Sequence, residues 1–134
     1  MNTALDQAVY EKYIAPTNRP RPPAVGVELE FPVVNLTGGP ADHALIHRVT
    51  EAFVSRFGFE NQKLDDEGNI YSAEERKTGD CLSFDCSYNT LELSFGKESD
   101  IGVIEERFQT YYSFLQERLL REHHTLTRSE EHTS

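Results

Sequence analysis

The sequence predicts an α+β domain in which an antiparallel sheet is flanked by helices. Residues 24–35 alternate as a strand does, two pairs of short β-like segments follow, and three segments space their apolar residues helically. Short polar loops join the paired segments, and only antiparallel strands can be joined so tightly. The expected element order is α-β-α-β-β-β-β-α, an arrangement typical of the α+β class.

Residues 24–35 form the clearest predicted strand. Side chains two apart in a strand point to the same face. Gly26, Glu28 and Glu30 therefore share one face of this strand. The opposite, apolar face carries Val25, Val27, Leu29, Phe31 and Val33. A strand with such a pattern packs one face on a core.

Helices are predicted over 4–14, over 42–57 and from 99 to about 126. Pro16 ends the first of them, because proline cannot continue a helix. Asp42 is a suitable N-cap for the second, since its carboxylate can accept hydrogen bonds from the first free N–H groups. The apolar stripe of this helix consists of Leu45, Ile46, Val49, Phe53 and Phe57.

Two hairpins are predicted between the second and third helices. The first joins 59–64 to 70–75, and the second joins 81–85 to 90–95. A four-residue loop over 86–89 would place Ser83 opposite Glu92. The core face would then carry Leu82, Phe84, Leu91 and Leu93, and the other face Ser83, Asp85, Thr90, Glu92 and Ser94.

Composition limits the classes of function. The chain has 134 residues and a net charge of −10, which fits one acidic globular domain and disfavours nucleic acid or an anionic membrane as partner. No apolar stretch approaches the roughly 20 residues of a membrane span. Cys81 and Cys86 are too few and too close for a disulfide framework, and no secretory signal follows Met1. We therefore expect a cytoplasmic location.

Carboxylates on one strand face suggest a metal site. The Cα atoms of Glu28 and Glu30 are expected roughly 6.6–6.8 Å apart, and their side chains point the same way. Oxygen ligands of this kind suit Mg²⁺ or Mn²⁺ better than zinc. The register of the second hairpin would add Glu92 and Asp85 to a similar polar face. The alternative is that both faces are simply the solvated sides of amphipathic strands.

Other metal or catalytic motifs are weaker. His43 and His47 are spaced i, i+4 on a predicted helix and could be a metal pair, but no third ligand follows at a suitable distance. A solvated helix face is the better explanation of this spacing. Cys81 and Cys86 lack the second pair that a zinc site needs. The sequence has no glycine-rich phosphate loop and no nucleophile elbow.

Two strand motifs resemble those of a known family. Gly26-Val27-Glu28-Leu29-Glu30-Phe31 resembles the opening motif of the glutamate–cysteine ligase family of the second type. The segments 82–85 and 90–94 resemble a later strand pair of that family. Asp85 stands where the family usually has Glu, the interval to Glu92 is one residue longer, and 86–89 replaces Pro-Gly-Gly-Gln.

The resemblance implies a glutamine-synthetase-like catalytic fold, in which an antiparallel sheet holds Mg²⁺ and ATP on its concave face. Such an enzyme phosphorylates the γ-carboxylate of glutamate, and the amine of cysteine then displaces phosphate to give γ-glutamylcysteine, the first step towards glutathione. Glu28, Glu30 and Glu92 would be metal ligands, with Asp85 a weaker candidate. The resemblance assigns no proton-transfer residue. Glutamate, cysteine and ATP would be the substrates.

The tail 128–134 reads Arg-Ser-Glu-Glu-His-Thr-Ser, which is the in-frame translation of a widely used sequencing adapter. An ordinary charged C-terminus is the alternative. We expect 1–127 to be the N-terminal part of a ligase catalytic domain, with little or no activity alone. Other hypotheses are a ligase for another amine, a non-catalytic metal- or nucleotide-binding module, and an acidic interaction domain.

Overall fold

The computed structural model describes residues 25–98 and 100–127, and it has the predicted α+β class. The predicted helix over 4–14 and the tail 128–134 lie outside these ranges. Six antiparallel strands form one sheet in the order β2-β3-β4-β5-β1-β6. In chain order the elements are β1 Val25–Asn35, α1 His43–Phe57, β2 Glu60–Leu64, β3 Ile70–Glu74, β4 Cys81–Phe84, β5 Thr90–Glu98, α2 Ile101–Leu120 and β6 His124–Leu126.

Strand β1 forms as its alternation predicts. Its apolar residues from Val27 to Val33 are buried, whereas Glu28 and Glu30 are exposed. β1 pairs with β5 along most of its length, so that Leu29 faces Leu93. In the sheet β1 lies between β5 and the short edge strand β6, and its apolar face needs cover from the helices.

The helices cover that apolar face. The Phe108 ring of α2 lies 5.9 Å from the Phe31 ring of β1 and 6.3 Å from the Phe95 ring of β5, measured between centroids. Phe53 of α1 is fully buried in the same core, 5.4 Å from the Tyr111 ring. No helix of the described ranges is long and apolar enough to cross a membrane.

Helix α1 begins and ends where its sequence indicates. The Asp42 carboxylate accepts hydrogen bonds from the N–H groups of Ala44 at 3.0 Å and Leu45 at 3.3 Å, which confirms the predicted N-cap. Gly58 ends the helix with φ 68°, a left-handed conformation that glycine adopts easily. The predicted stripe is buried except for Phe57, which is half-buried.

The last predicted helix is wrong at its C-terminal end. α2 stops at Leu120, not near residue 126, and His123 turns the chain with φ 60°. The next three residues form β6, an additional strand that pairs with Val33–Asn35 of β1. Alternate burial of His124 and Leu126 stabilises this strand, since a strand presents both residues to one face.

Side-chain hydrogen bonds hold β6 against α2. The Gln116 amide oxygen accepts a hydrogen bond from the Leu126 N–H at 2.8 Å, and its NH₂ donates to the Thr125 hydroxyl at 2.8 Å. Nε2 of buried His124 accepts a hydrogen bond from the Asp42 N–H at 3.1 Å. The Gln116 contacts span 9 and 10 residues and the His124 contact spans 82, so helical periodicity alone could not show them.

Candidate functional site

Three of the four predicted carboxylates lie on one face of adjacent strands. Glu30 of β1 is directly opposite Glu92 of β5, and Glu28 is opposite Ser94. Glu92 in turn faces Ser83 of β4, which confirms the predicted hairpin register. We call the surface formed by Glu28, Glu30, Ser83, Glu92 and Ser94 the polar face; it lies on the side of the sheet opposite the helices.

The glutamates of the polar face interact electrostatically. Partial burial raises the pKa of Glu92, and the negative charges of Glu28 and Glu30 raise it further. A hydrogen bond from the Ser83 hydroxyl at 3.4 Å acts in the opposite direction. A bound cation would favour the ionised form of all three carboxylates.

The donor chemistry of this face fits a hard divalent cation, but the side chains are not arranged as a finished coordination shell. Over residues 25–98 and 100–127, no group of three or more His, Cys, Asp or Glu side chains could hold a metal ion as placed. Carboxylate oxygens are the preferred ligands of Mg²⁺ and Mn²⁺. Binding therefore requires the flexible Glu28, Glu30 and Glu92 side chains to rotate towards a common point.

Asp85 is engaged in the β4–β5 turn. Its carboxylate accepts hydrogen bonds from the Ser87 hydroxyl at 2.8 Å and from the Thr90 N–H at 3.2 Å. The charges that raise the pKa of Glu92 are those of Glu28 and Glu30, and Asp85 is not among them. The observed contacts of Asp85 stabilise the turn, and its role as a metal ligand stays a prediction.

Tyr88 and Asp65 join the two hairpin loops, which the sequence did not indicate. The Tyr88 hydroxyl donates a hydrogen bond to Oδ2 of Asp65 at 2.7 Å. This bond is the largest cause that lowers the pKa of Asp65 to about 2, whereas burial and the same bond raise the pKa of Tyr88 to about 12. Tyr88 also has a left-handed backbone with φ 61°. The pair therefore fixes one end of the sheet.

The His43–His47 pair packs against this tyrosine. The His47 ring lies 4.6 Å from the Tyr88 ring, and the His43 ring lies 6.3 Å from it. Nε2 of His43 is 3.2 Å from Oδ1 of Asn89. Aromatic packing and a loop contact therefore account for the spacing of these histidines.

Asp80 forms a second unpredicted polar cluster, between the sheet and α2. It is 1% exposed and accepts hydrogen bonds from Arg107 Nε at 2.7 Å, the Tyr111 hydroxyl at 2.6 Å and the Gly96 N–H at 2.9 Å. Burial and the bond to Asp80 raise the pKa of Tyr111 above its ordinary range. In the sequence Asp80 follows Thr78-Gly79 and resembles an ordinary exposed turn residue.

Comparison with family models, with curated proteins and with solved structures finds no match to this chain. A function must therefore be inferred from the polar face and from the two strand motifs that form it. Both motifs lie on neighbouring strands, because β1 contains the first and β5 contains most of the second.

Proposed function

We propose that this chain is the N-terminal part of an ATP-dependent glutamate–cysteine ligase located in the cytoplasm. The polar face would bind Mg²⁺ together with the phosphates of ATP. The proposal includes the formation of γ-glutamylcysteine through a γ-glutamyl phosphate. The resemblance of the two strand motifs supports the choice of reaction, and the polar face supports the metal chemistry.

One observation carries the proposal most directly. Glu92 lies beside Glu30 across the β1–β5 pair, and the charges of Glu28 and Glu30 raise its pKa. Like charges directly opposite each other destabilise a sheet. A divalent cation removes that repulsion, so the arrangement is better suited to a cation site than to a bare solvated surface.

Each glutamate has a defined part in this proposal. Glu28 and Glu30 project from one strand, and Glu92 projects from its neighbour, so a cation between β1 and β5 could be held from two sides. The Ser83 hydroxyl, 3.4 Å from Oε1 of Glu92, orients that carboxylate. When bound, Mg²⁺ would neutralise triphosphate charge during phosphoryl transfer.

Metal binding can be tested on the chain itself. Titration with Mn²⁺, followed by the paramagnetic signal of the free ion, should show saturable binding. Glu92→Gln should weaken that binding about tenfold or more, because it removes a charged ligand. Glu51→Gln is the matched control, since Glu51 is exposed on α1 on the other side of the sheet. Equal effects of both variants would contradict a site on the polar face.

The reaction needs a separate test. The locus should be read beyond codon 127, and the full reading frame should be expressed with and without Glu92→Gln. We expect ATP- and glutamate-dependent product formation with cysteine, and its loss in the variant but not in Glu51→Gln. Faster turnover with another amine would favour the alternative ligase. Metal binding without turnover by the full frame would favour a non-catalytic module.

A further inference from the structure

The buried histidine of β6 joins this strand to the start of α1. His124 is 4% exposed, and both of its ring nitrogens have hydrogen-bond partners. Nδ1 lies 2.8 Å from the carbonyl oxygen of Glu122, in the turn after α2. Nε2 lies 3.1 Å from the backbone nitrogen of Asp42, the N-cap of α1. The second contact connects residues 82 positions apart, so it ties the last strand to a distant helix.

These two partners determine the protonation state of the His124 ring. A carbonyl oxygen can only accept a hydrogen bond, so Nδ1 must carry a hydrogen. A backbone N–H can only donate one, so Nε2 must be unprotonated. The ring is therefore neutral. In an imidazolium both nitrogens carry hydrogen, so the new N–H would oppose the Asp42 N–H, and a charge would be buried beside it.

The charged groups on the segments beside His124 have other contacts or lie in solvent. The Asp42 carboxylate caps α1 by accepting hydrogen bonds from two backbone N–H groups. Glu122 forms an exposed ion pair with Arg48 at 3.5 Å. On the facing part of β1, residues 33–35 include no ionisable side chain. The other titratable groups of these segments are His43 and His47, which contact the β4–β5 turn, exposed His123, and the exposed pair of Glu117 and Arg121. An imidazolium at position 124 could therefore gain a carboxylate of these segments only at the expense of another contact.

Strand β6 is the element that can most easily move to relieve this conflict. It has three residues and lies at the edge of the described sheet, where it pairs with β1 alone. The Leu36 N–H donates to the His123 carbonyl at 2.7 Å, and the Thr127 N–H donates to the Pro32 carbonyl at 2.9 Å. Opening these two bonds brings the His124 ring into water and leaves the pairing of β1 with β5 intact.

From this geometry we propose that His124 is a pH-sensitive switch, which holds β6 on β1 while it is neutral and releases the strand when it is protonated. The inference stands apart from the proposed function, because His124 is not part of the polar face. The attached strand excludes the proton, whereas a histidine in water binds one near pH 6.5. Attachment is therefore strongest above that pH and weakens as the pH falls. Between pH 7.5 and pH 5.5 the equilibrium should shift towards release by about tenfold.

The test is amide hydrogen exchange of the full chain, measured by NMR between pH 7.5 and pH 5.5 and expressed as protection factors. Protection of the Leu36 and Thr127 amides should fall about tenfold in the wild type, while amides between β4 and β5 keep theirs. His124→Gln stays neutral over this range and should show no such fall. His123→Asn is the matched control, since His123 is exposed and asparagine tolerates its left-handed φ of 60°. This control should behave as the wild type does.

The nitrogen signals of the His124 ring, recorded on the same samples, report its protonation directly. We expect the neutral form with hydrogen on Nδ1 wherever the Leu36 and Thr127 amides are protected. A protonated ring beside protected amides would overturn the switch, because the charge would then be accommodated in place. An equal fall of protection in wild type and His124→Gln would overturn it as well. If His124→Gln loses β6 even at pH 7.5, the ring signals of the wild type decide between these outcomes.

Discussion

Replacing Asp80 with alanine should be among the most damaging single substitutions outside the apolar core. The side chain is 1% exposed, and its carboxylate accepts hydrogen bonds from Arg107, Tyr111 and Gly96. Asp80→Ala would leave a guanidinium, a hydroxyl and a backbone N–H without their acceptor. Each such unsatisfied buried group costs about 1–3 kcal/mol, and more when it is charged.

The expected loss of stability in Asp80→Ala depends on how exposed the hydrogen-bond partners of Asp80 are. Removing one partner of a buried ion pair lowers the free energy of unfolding by about 3–5 kcal/mol. The Arg107 side chain is 20% exposed, so it can recover some hydration, and the lower end of that range applies. A loss of about 3 kcal/mol should lower the melting temperature of a domain of about 100 residues by at least ~10 °C.

Urea denaturation followed by circular dichroism measures this loss as a shift in the unfolding midpoint at unchanged slope. Arg121→Ala is the control, because it removes the exposed pair with Glu117 at the C-terminal end of α2 and should cost only about 0.3–0.5 kcal/mol. The loss of stability in Asp80→Asn should lie between those of Asp80→Ala and Arg121→Ala, since the amide oxygen of asparagine keeps one acceptor. A loss below about 1 kcal/mol for Asp80→Ala would refute the reasoning.

Four further substitutions test separate contacts. Gly96→Ala should cost about 2 kcal/mol or more in urea denaturation, because its Cβ would overlap a carbonyl oxygen at 1.6 Å. Tyr88→Phe should raise the pKa of Asp65 from about 2 towards its ordinary value, which an NMR titration would measure. The same variant should lower the free energy of unfolding above pH 4, because the depressed pKa of Asp65 stabilises the fold in that range. Gln116→Ala should speed hydrogen exchange of the β6 amides, which it holds to α2. Glu92→Gln should stabilise the metal-free chain at pH 7, because it removes a charge that burial and two neighbouring glutamates disfavour. The raised pKa of Glu92 means that the folded wild type binds a proton more tightly than the unfolded chain, so the wild type should gain stability as the pH falls. The variant should show less of this gain.

For Gly96→Ala, Tyr88→Phe and Gln116→Ala, the contradicting results are as specific as the expected ones. Wild-type stability of Gly96→Ala would mean that the loop over residues 75–80 moves freely away from β5. An unchanged Asp65 titration in Tyr88→Phe would show that backbone N–H groups, which also bond to this carboxylate, set its pKa. Unaltered β6 exchange in Gln116→Ala would assign the strand's stability to Leu126 burial instead.

Local patterns were sufficient for most of the fold. Strict alternation identified β1, because only a strand separates glutamates and apolar residues so regularly. Asp42 marked the start of α1 through its capping chemistry, and the length of the 86–89 loop fixed the Ser83–Glu92 register. These features depend on neighbours in sequence. The end of α2 has no such local signal, since neither glycine nor proline lies between Gly102 and His123, where the chain turns.

The strand faces that carry the candidate carboxylates were predictable from the sequence, but the surroundings of these carboxylates were not. Glu28, Glu30 and Glu92 were found from strand alternation and hairpin register alone. The adjacency of β1 and β5 was not deducible, because four elements (α1, β2, β3 and β4) lie between these two strands in the sequence. Asp80 was missed for the same reason: its partners are 16 to 31 residues away, and burial of a turn aspartate leaves no periodic signal.

The polar face lets stability and binding be tested against each other. If Glu28, Glu30 and Glu92 only formed a solvated surface, neutralising Glu92 would relieve repulsion, and the gain in stability would persist whether or not Mn²⁺ is present. If they form a cation site, Mn²⁺ stabilises the wild type by mass action and does so far less for Glu92→Gln. The order of stabilities should therefore invert: the variant is the more stable without metal, and the wild type is the more stable at saturating Mn²⁺. Melting both proteins with and without Mn²⁺, beside Glu51→Gln, separates the two cases, because a solvated face predicts no inversion at any metal concentration.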